Sequence, residues 1–95
     1  MDMDTLRKRY KEEIFFIANL CNAENIRIFG SVATNTAKEG SDIDFLVHMK
    51  SGSGFCLGGL KWRLEELLQC RVDVVPDTSL HSLIKEKILL EAISL

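Results

Sequence analysis

From residue 4 to residue 22 the apolar positions recur at helical spacing. Leu6, Tyr10, Ile14, Ile17, Ala18 and Cys21 fall on one stripe, and Phe15, Phe16 and Leu20 widen it. So wide a stripe predicts a helix packed firmly on a sheet, with Asn22 and Asn25 bracketing its exit. Ile26-Arg27-Ile28-Phe29 then reads as a short first strand. Residues 30–41 are small and polar, and Ser31-Val32-Ala33-Thr34 can open a short helix. A second strand is expected from Ile43 to Met49, with Ile43, Phe45 and Val47 on one face and Asp42, Asp44, Leu46 and His48 on the other. Ser51-Gly52-Ser53-Gly54 breaks the pattern. Leu57, Leu60, Leu64, Leu67 and Leu68 restore a helical stripe over 56–69, and Arg71-Val72-Asp73-Val74-Val75 forms a strand closed by Pro76. Ser79 is the expected N-cap of a last helix reaching Ile93, anchored by Leu80, Leu83, Ile84, Ile88 and Ala92. The order α-β-(short α)-β-α-β-α predicts an α/β (α+β) fold built as one layer pair, with residues 1–95 as one domain.

Within this frame one unit carries chemistry: Gly30-Ser31, ten residues, then Asp42-Ile43-Asp44. Gly lets backbone N–H groups at a helix start approach a phosphate, and the Ser hydroxyl adds a donor. Asp42 and Asp44 point to the same side of a strand, where two like charges are costly unless a cation lies between them. Mg²⁺ takes one or two protein carboxylates together with phosphate oxygens and water. A phosphate cradle and a cation site therefore sit at the ends of consecutive strands. Asp73 is the third acid. Among Val72, Val74 and Val75 it reads as part of a buried strand, so it either pairs with Arg71 or Arg27 or faces the same metal ions, where it can act as general base on a hydroxyl.

Weaker candidates have plainer readings. His48 lies some 13 Å along the strand from Asp44 and reads as a rim histidine. Lys61 and Trp62 can neutralise or stack on a nucleotide, though Trp62 reads rather as packing at a helix edge or an interface. Lys38 reads as a solvated loop residue. The glycines at 52, 54, 58 and 59 lack the Gly-Lys-Ser/Thr ending of a phosphate-binding loop.

Composition narrows the partners. A net charge of −2 and a pI near 5.6 leave no electrostatic footprint for a nucleic-acid duplex, while a single nucleotide remains open. No apolar run reaches the roughly 20 residues a membrane helix needs, and Met1-Asp2-Met3-Asp4 is no signal peptide, so the chain is expected in the cytosol. Cys21, Cys56 and Cys70 contain no Cys-x-x-Cys pair and read as core or near-surface thiols. Helices with wide apolar stripes also suit a homo-oligomer.

The Gly30-Ser31 to Asp42-x-Asp44 spacing resembles the signature of the DNA polymerase β-like nucleotidyltransferase superfamily, and within it the minimal MNT or MntA-type proteins. The resemblance runs through Ser41-Asp42-Ile43-Asp44-Phe45-Leu46-Val47, Leu64-Glu65-Glu66-Leu67-Leu68, Val72-Asp73-Val74-Val75 and Lys87-Ile88-Leu89-Leu90-Glu91-Ala92, nearly the whole chain. It implies the minimal nucleotidyltransferase fold, a small mixed sheet with helices packed on it, and Mg²⁺-dependent transfer of AMP from ATP to an acceptor, with release of pyrophosphate. Ser31 would hold the β and γ phosphates, Asp42 and Asp44 would bind two Mg²⁺ ions, and Asp73 would complete the metal site and activate the acceptor. It further implies an antitoxin that binds a helical HEPN-type toxin and adenylylates a tyrosine on it. One departure stands out: Thr34-Asn35 replaces the family's frequent Arg-Gly, removing a charge-assisted phosphate bond worth about 1.5–3 kcal/mol, with Lys38 as the candidate replacement. The alternative is accordingly a weak or inactive nucleotide-binding subunit that neutralises its partner by binding alone.

Overall fold

The first twenty residues form a single helical arm, α1. Met3–Thr5 is α-helical, Leu6–Tyr10 takes π-helical spacing, and Lys11–Leu20 is α-helical again. Asp2 caps the start, its carboxylate accepting from the Thr5 N–H at 2.8 Å. The π stretch explains how Leu6 joins the buried stripe. In a regular helix Leu6 would lie about 80° away from Ile14, and one extra residue in a turn brings the two into line. Leu6, Ile14 and Ala18 are all buried.

We describe residues 1–38, 40–50, 56–79 and 82–95 in a computed structural model of the chain. After α1 come β1 (Ala23–Phe29), the short α2 (Gly30–Ala33), β2 (Ile43–Met49), α3 (Leu57–Leu68) and β3 (Val72–Pro76). A 3₁₀ turn (Asp77–Ser79), α4 (Ser82–Glu91) and β4 (Ile93–Ser94) complete the chain. The sheet order is β3-β2-β1-β4, with β2 parallel to β3 and the other pairs antiparallel. Ile28, Ile43, Phe45, Val47 and Val72 form one sheet face, which closes on Leu6, Ile14 and Ala18 of α1 and Leu60, Leu64 and Leu68 of α3. Asp44, Leu46 and His48 occupy the opposite face. The second strand, the leucine stripe of α3 and the mixed α/β architecture match the expectations from sequence.

Several expectations need correction. Phe15, Phe16 and Leu20 do not pack on the sheet; they are exposed, Phe16 by 67 %. The buried arc of α1 is narrower than its apolar stripe. β1 begins at Ala23, three residues before the apolar run, because a bulge between Glu24 and Arg27 lets Asn25 adopt a φ of 51° without ending the ladder. Ser79 does not cap the last helix: it closes the 3₁₀ turn, its hydroxyl donating to the Pro76 carbonyl at 3.0 Å, and α4 starts at Ser82. Of the expected α4 anchors, Ile88 and Ala92 are half-buried and Ile84 is half exposed, while Leu80 and the Leu83 side chain lie outside the described residues. The break expected at Ser51-Gly52-Ser53-Gly54 also lies outside them. The helix stops at Glu91, and Ile93 turns into β4, which pairs with Arg27 and Ile28 along the outer edge of β1. Arg7 holds that edge from α1 through a 2.8 Å bond to the Ser94 carbonyl. Cys21, Cys56 and Cys70 are free thiols.

Candidate active site

β1 ends at Phe29, the register partner of Asp44. The chain must then turn sharply away, and Gly30 does so at a φ of +71°. The position also has no room for a side chain. A Cβ on Gly30 would overlap the Asp44 Oδ2 atom and stand 3.2 Å from its Cγ. Gly30 is thus required by the carboxylate leaning over it as well as by its own dihedral. No side chain caps α2, so the first-turn N–H groups, including that of Ser31, are not satisfied by a cap.

Behind the turn, Thr34 and Thr36 close it. The Gly30 carbonyl accepts both the Thr34 N–H at 3.0 Å and the Thr34 hydroxyl at 3.1 Å. The Thr36 N–H donates to the Ser31 carbonyl at 2.8 Å, and the two threonine hydroxyls meet at 3.0 Å. Asn35 takes a φ of 60°, a conformation Asn tolerates best after Gly. Further along, the Ser41 hydroxyl accepts from the Lys38 N–H at 2.9 Å, and the Ser41 N–H donates to the Lys38 carbonyl at 3.0 Å, fixing the approach to Asp42.

Asp44 and Asp73 are register partners on adjacent parallel strands, so their side chains project from the same sheet face, on strands about 4.8 Å apart. Asp42 precedes β2 by one residue. Burial is the main force pushing the Asp44 carboxyl above the ordinary aspartate range, and the charges of Asp73 and Asp42 add to it. Among the described residues no cation opposes them. Among the described residues no three His, Cys, Asp or Glu side chains are gathered tightly enough to grip an ion. The donor set nevertheless suits a hard divalent cation. It consists of carboxylate oxygens only, with a half-buried Asp44 that has no positive neighbour among the described residues, beside a turn whose Cβ space a carboxylate fills.

Asp73 differs from expectation in its setting. It is exposed, because β3 is the outermost strand and its flanking valines are not enclosed on both faces. Neither Arg71 nor Arg27 pairs with it. Arg27 lies 4.0 Å from Asp77, which also binds His48 Nδ1 at 3.1 Å, at the far end of the face. Lys61 is committed elsewhere too. Its Nζ donates to the Val72 carbonyl at 2.9 Å and to Glu65 Oε2 at 3.2 Å, while the same Glu65 oxygen accepts the Val72 N–H at 3.1 Å. The Val72 N–H and the Lys61 ammonium hold the Glu65 carboxyl below its usual range. This staple, which sequence reasoning missed, anchors β3 to α3 next to Asp73; its only sequence signal is the i,i+4 spacing of Lys61 and Glu65. Trp62 is 62 % exposed on α3.

Residues 7–95 match the nucleotidyltransferase domain family. A candidate protein adenylyltransferase of Methanocaldococcus jannaschii is 49% identical over 67 residues, which span 70% of this chain and 72% of that protein. The solved structure of a candidate minimal nucleotidyltransferase is 41% identical and superposes with a TM-score of 0.85, covering 100% of this chain and 97% of the other. A toxin-antitoxin structure with AMP-PNP shares the fold at 20% identity, with a TM-score of 0.75 over 90% of this chain and 71% of that one. With the Gly30-Ser31 turn, Asp44 and Asp73 assembled on one sheet face, the chain belongs to the nucleotidyltransferase family.

Proposed function

We propose that this nucleotidyltransferase is an Mg²⁺-dependent adenylyltransferase that moves AMP from ATP onto a protein hydroxyl, working as a single domain. The observation that carries this reading is the meeting of three elements at one point: the Gly30-Ser31 turn, the Asp44 carboxylate packed against it, and Asp73 in register beside Asp44. In this reading the Ser31 hydroxyl and the free amides of the turn hold the β and γ phosphates. Asp42, Asp44 and Asp73 would hold two Mg²⁺ ions, which when bound offset the phosphate charge and lower the pKa of a coordinated oxygen. Asp73 is exposed on the edge strand, where an acceptor can approach, and takes the proton of the attacking hydroxyl. The acceptor oxygen bonds to the α phosphorus, the bond from the α phosphorus to the bridging oxygen breaks, and pyrophosphate leaves.

The acceptor we propose is a tyrosine of a HEPN-type toxin, with this chain as its antitoxin. Support comes from the likeness to a named protein adenylyltransferase and from the fold shared with toxin-antitoxin structures. The test is transfer of label from α-labelled ATP, with Mg²⁺, onto a co-purified toxin. Asp44→Asn should abolish it while the circular dichroism spectrum stays native. Undiminished transfer by that variant would sink the reading. Thr34, which turns its hydroxyl back onto the Gly30 carbonyl and offers no positive charge to phosphate, favours a second reading as a non-catalytic binding subunit. That reading predicts toxin neutralisation by Asp44→Asn equal to the native chain and no label transfer by either.

A further inference from the structure

We infer that Thr34 is a positioning residue for the triphosphate, acting through the peptide groups of the Gly30-Ser31 turn rather than by touching the ligand. The inference rests on the proposed role of that turn and adds to it a residue and a means. A hydroxyl has one proton. Thr34 Oγ1 lies 3.0 Å from the Thr36 hydroxyl, 3.1 Å from the Gly30 carbonyl and 3.5 Å from the Ser31 carbonyl, and we assign its proton to Gly30, the nearer of the two groups that can only accept. With that assignment the 3.0 Å contact between the two threonine hydroxyls, in which either oxygen can donate, is a donation from Thr36 to Thr34. The result is a directed chain, from the Thr36 O–H through the Thr34 O–H to the Gly30 C=O.

Two consequences follow for the site. In a trans peptide the C=O and the N–H point in opposite directions. Drawing the Gly30 carbonyl back onto Thr34 therefore aims the Ser31 N–H the other way. Drawing the Ser31 carbonyl onto the Thr36 N–H, at 2.8 Å, aims the Val32 N–H likewise. In addition, a carbonyl that accepts from a chain of donors is polarised, and so is the N–H of the same amide, by something like 10–30% per bond. The Gly30-Ser31 peptide accepts two such bonds, from the Thr34 N–H and the Thr34 hydroxyl. Thr34 thus orients and strengthens the donors that would face the phosphate oxygens, although it carries no charge of its own. Asn35, at a φ of 60°, lets the chain reverse so that Thr36 can reach Thr34.

The experiment compares full-length native protein with Thr34→Val, Thr34→Ser and Ser31→Ala, measuring Mg-ATP and adenosine affinities by calorimetry. Thr34→Val keeps the shape and removes the hydroxyl, and is expected to weaken Mg-ATP about five- to tenfold, the effect of one hydrogen bond, while leaving adenosine within about twofold. Thr34→Ser restores the proton and should return Mg-ATP to within about twofold of native. In the ligand-free protein the Ser31 amide proton should move upfield in Thr34→Val and return in Thr34→Ser. If Ser31→Ala weakens Mg-ATP and Thr34→Val does not, the inference is wrong while the reading of the turn survives. Equal weakening of Mg-ATP and adenosine by Thr34→Val, with a fallen Tm, would make Thr34 merely structural and also overturn it. No effect from Ser31→Ala or Thr34→Val would overturn the inference and the role of the turn together.

Discussion

Replacing Gly30 by Ala is the sharpest test of how turn and carboxylate depend on each other. The native φ of +71° lies in the left-handed region, where an L-residue with a Cβ costs about 1–2 kcal/mol. The new Cβ would also overlap Asp44 Oδ2, and Cγ and Cβ of Asp44, at 3.2 and 3.6 Å, leave little room for the carboxylate to step aside. Overpacking of this kind costs a further 1–3 kcal/mol or so. The sum is about 2–5 kcal/mol, a Tm drop on the order of 10 °C or more for a domain of this size. The two parts separate in a double-mutant cycle. In an Asp44→Ala background the overlap with the carboxylate is gone, so Gly30→Ala should cost only the dihedral part, leaving a coupling of about 1–3 kcal/mol. Urea unfolding of the four proteins in Mg²⁺-free buffer at neutral pH measures it. Additivity to within roughly 0.5 kcal/mol would refute the claim that the carboxylate occupies the glycine's missing side-chain space.

Because the Asp44 carboxyl titrates above its unfolded value, its contribution to stability is present at low pH and lost as pH rises through the folded pKa. Asp44→Asn should therefore gain stability over the native chain across that rise, in the absence of metal, and parallel pH-stability curves would contradict this. Glu65 has the opposite sign: its lowered pKa gives stability that is present above the unfolded value and lost as pH falls through the folded one. Glu65→Gln should accordingly lose stability relative to native at neutral pH, converge with it in acid, and speed hydrogen exchange at the Val72 amide; unchanged exchange would show the staple to be idle. Phe45→Ala, at a fully buried position between the helices and the sheet, should cost about 3–5 kcal/mol by denaturant titration, and a loss under 1 kcal/mol would mean that the core is not closed there.

The elements legible in the sequence are those with a local period. Ile43, Phe45 and Val47 alternate, and β2 runs over the expected residues; the leucines of α3 repeat at helical spacing, and the helix is there. What escaped depends on partners distant in sequence. Asp73 read as buried because its neighbours are valines, yet exposure follows from strand order, which places β3 at an edge. β4 has two residues and no period of its own; Ile93 extends the apolar stripe of α4 on paper and pairs with Ile28 in space. Phe15 and Phe16 show that an apolar stripe can be wider than the arc its neighbours cover. Of the candidate site, the residue types and spacing were visible. The close approach of Asp44 to Gly30 was not, since only the register of β1 against β2 creates it.

That register has a consequence for quality control of the enzyme. β2 pairs on both sides, antiparallel with β1 and parallel with β3, and it alone brings Asp44 to Gly30 and to Asp73. A slip of one residue would turn Asp44 toward the helices and Phe45 toward the opposite face of the sheet. Such a molecule would lose its hydrophobic seal in the same event that scattered its carboxylates. A misassembled copy would thus lose fold and site together, and the fraction of chains that are active should track the fraction that are folded.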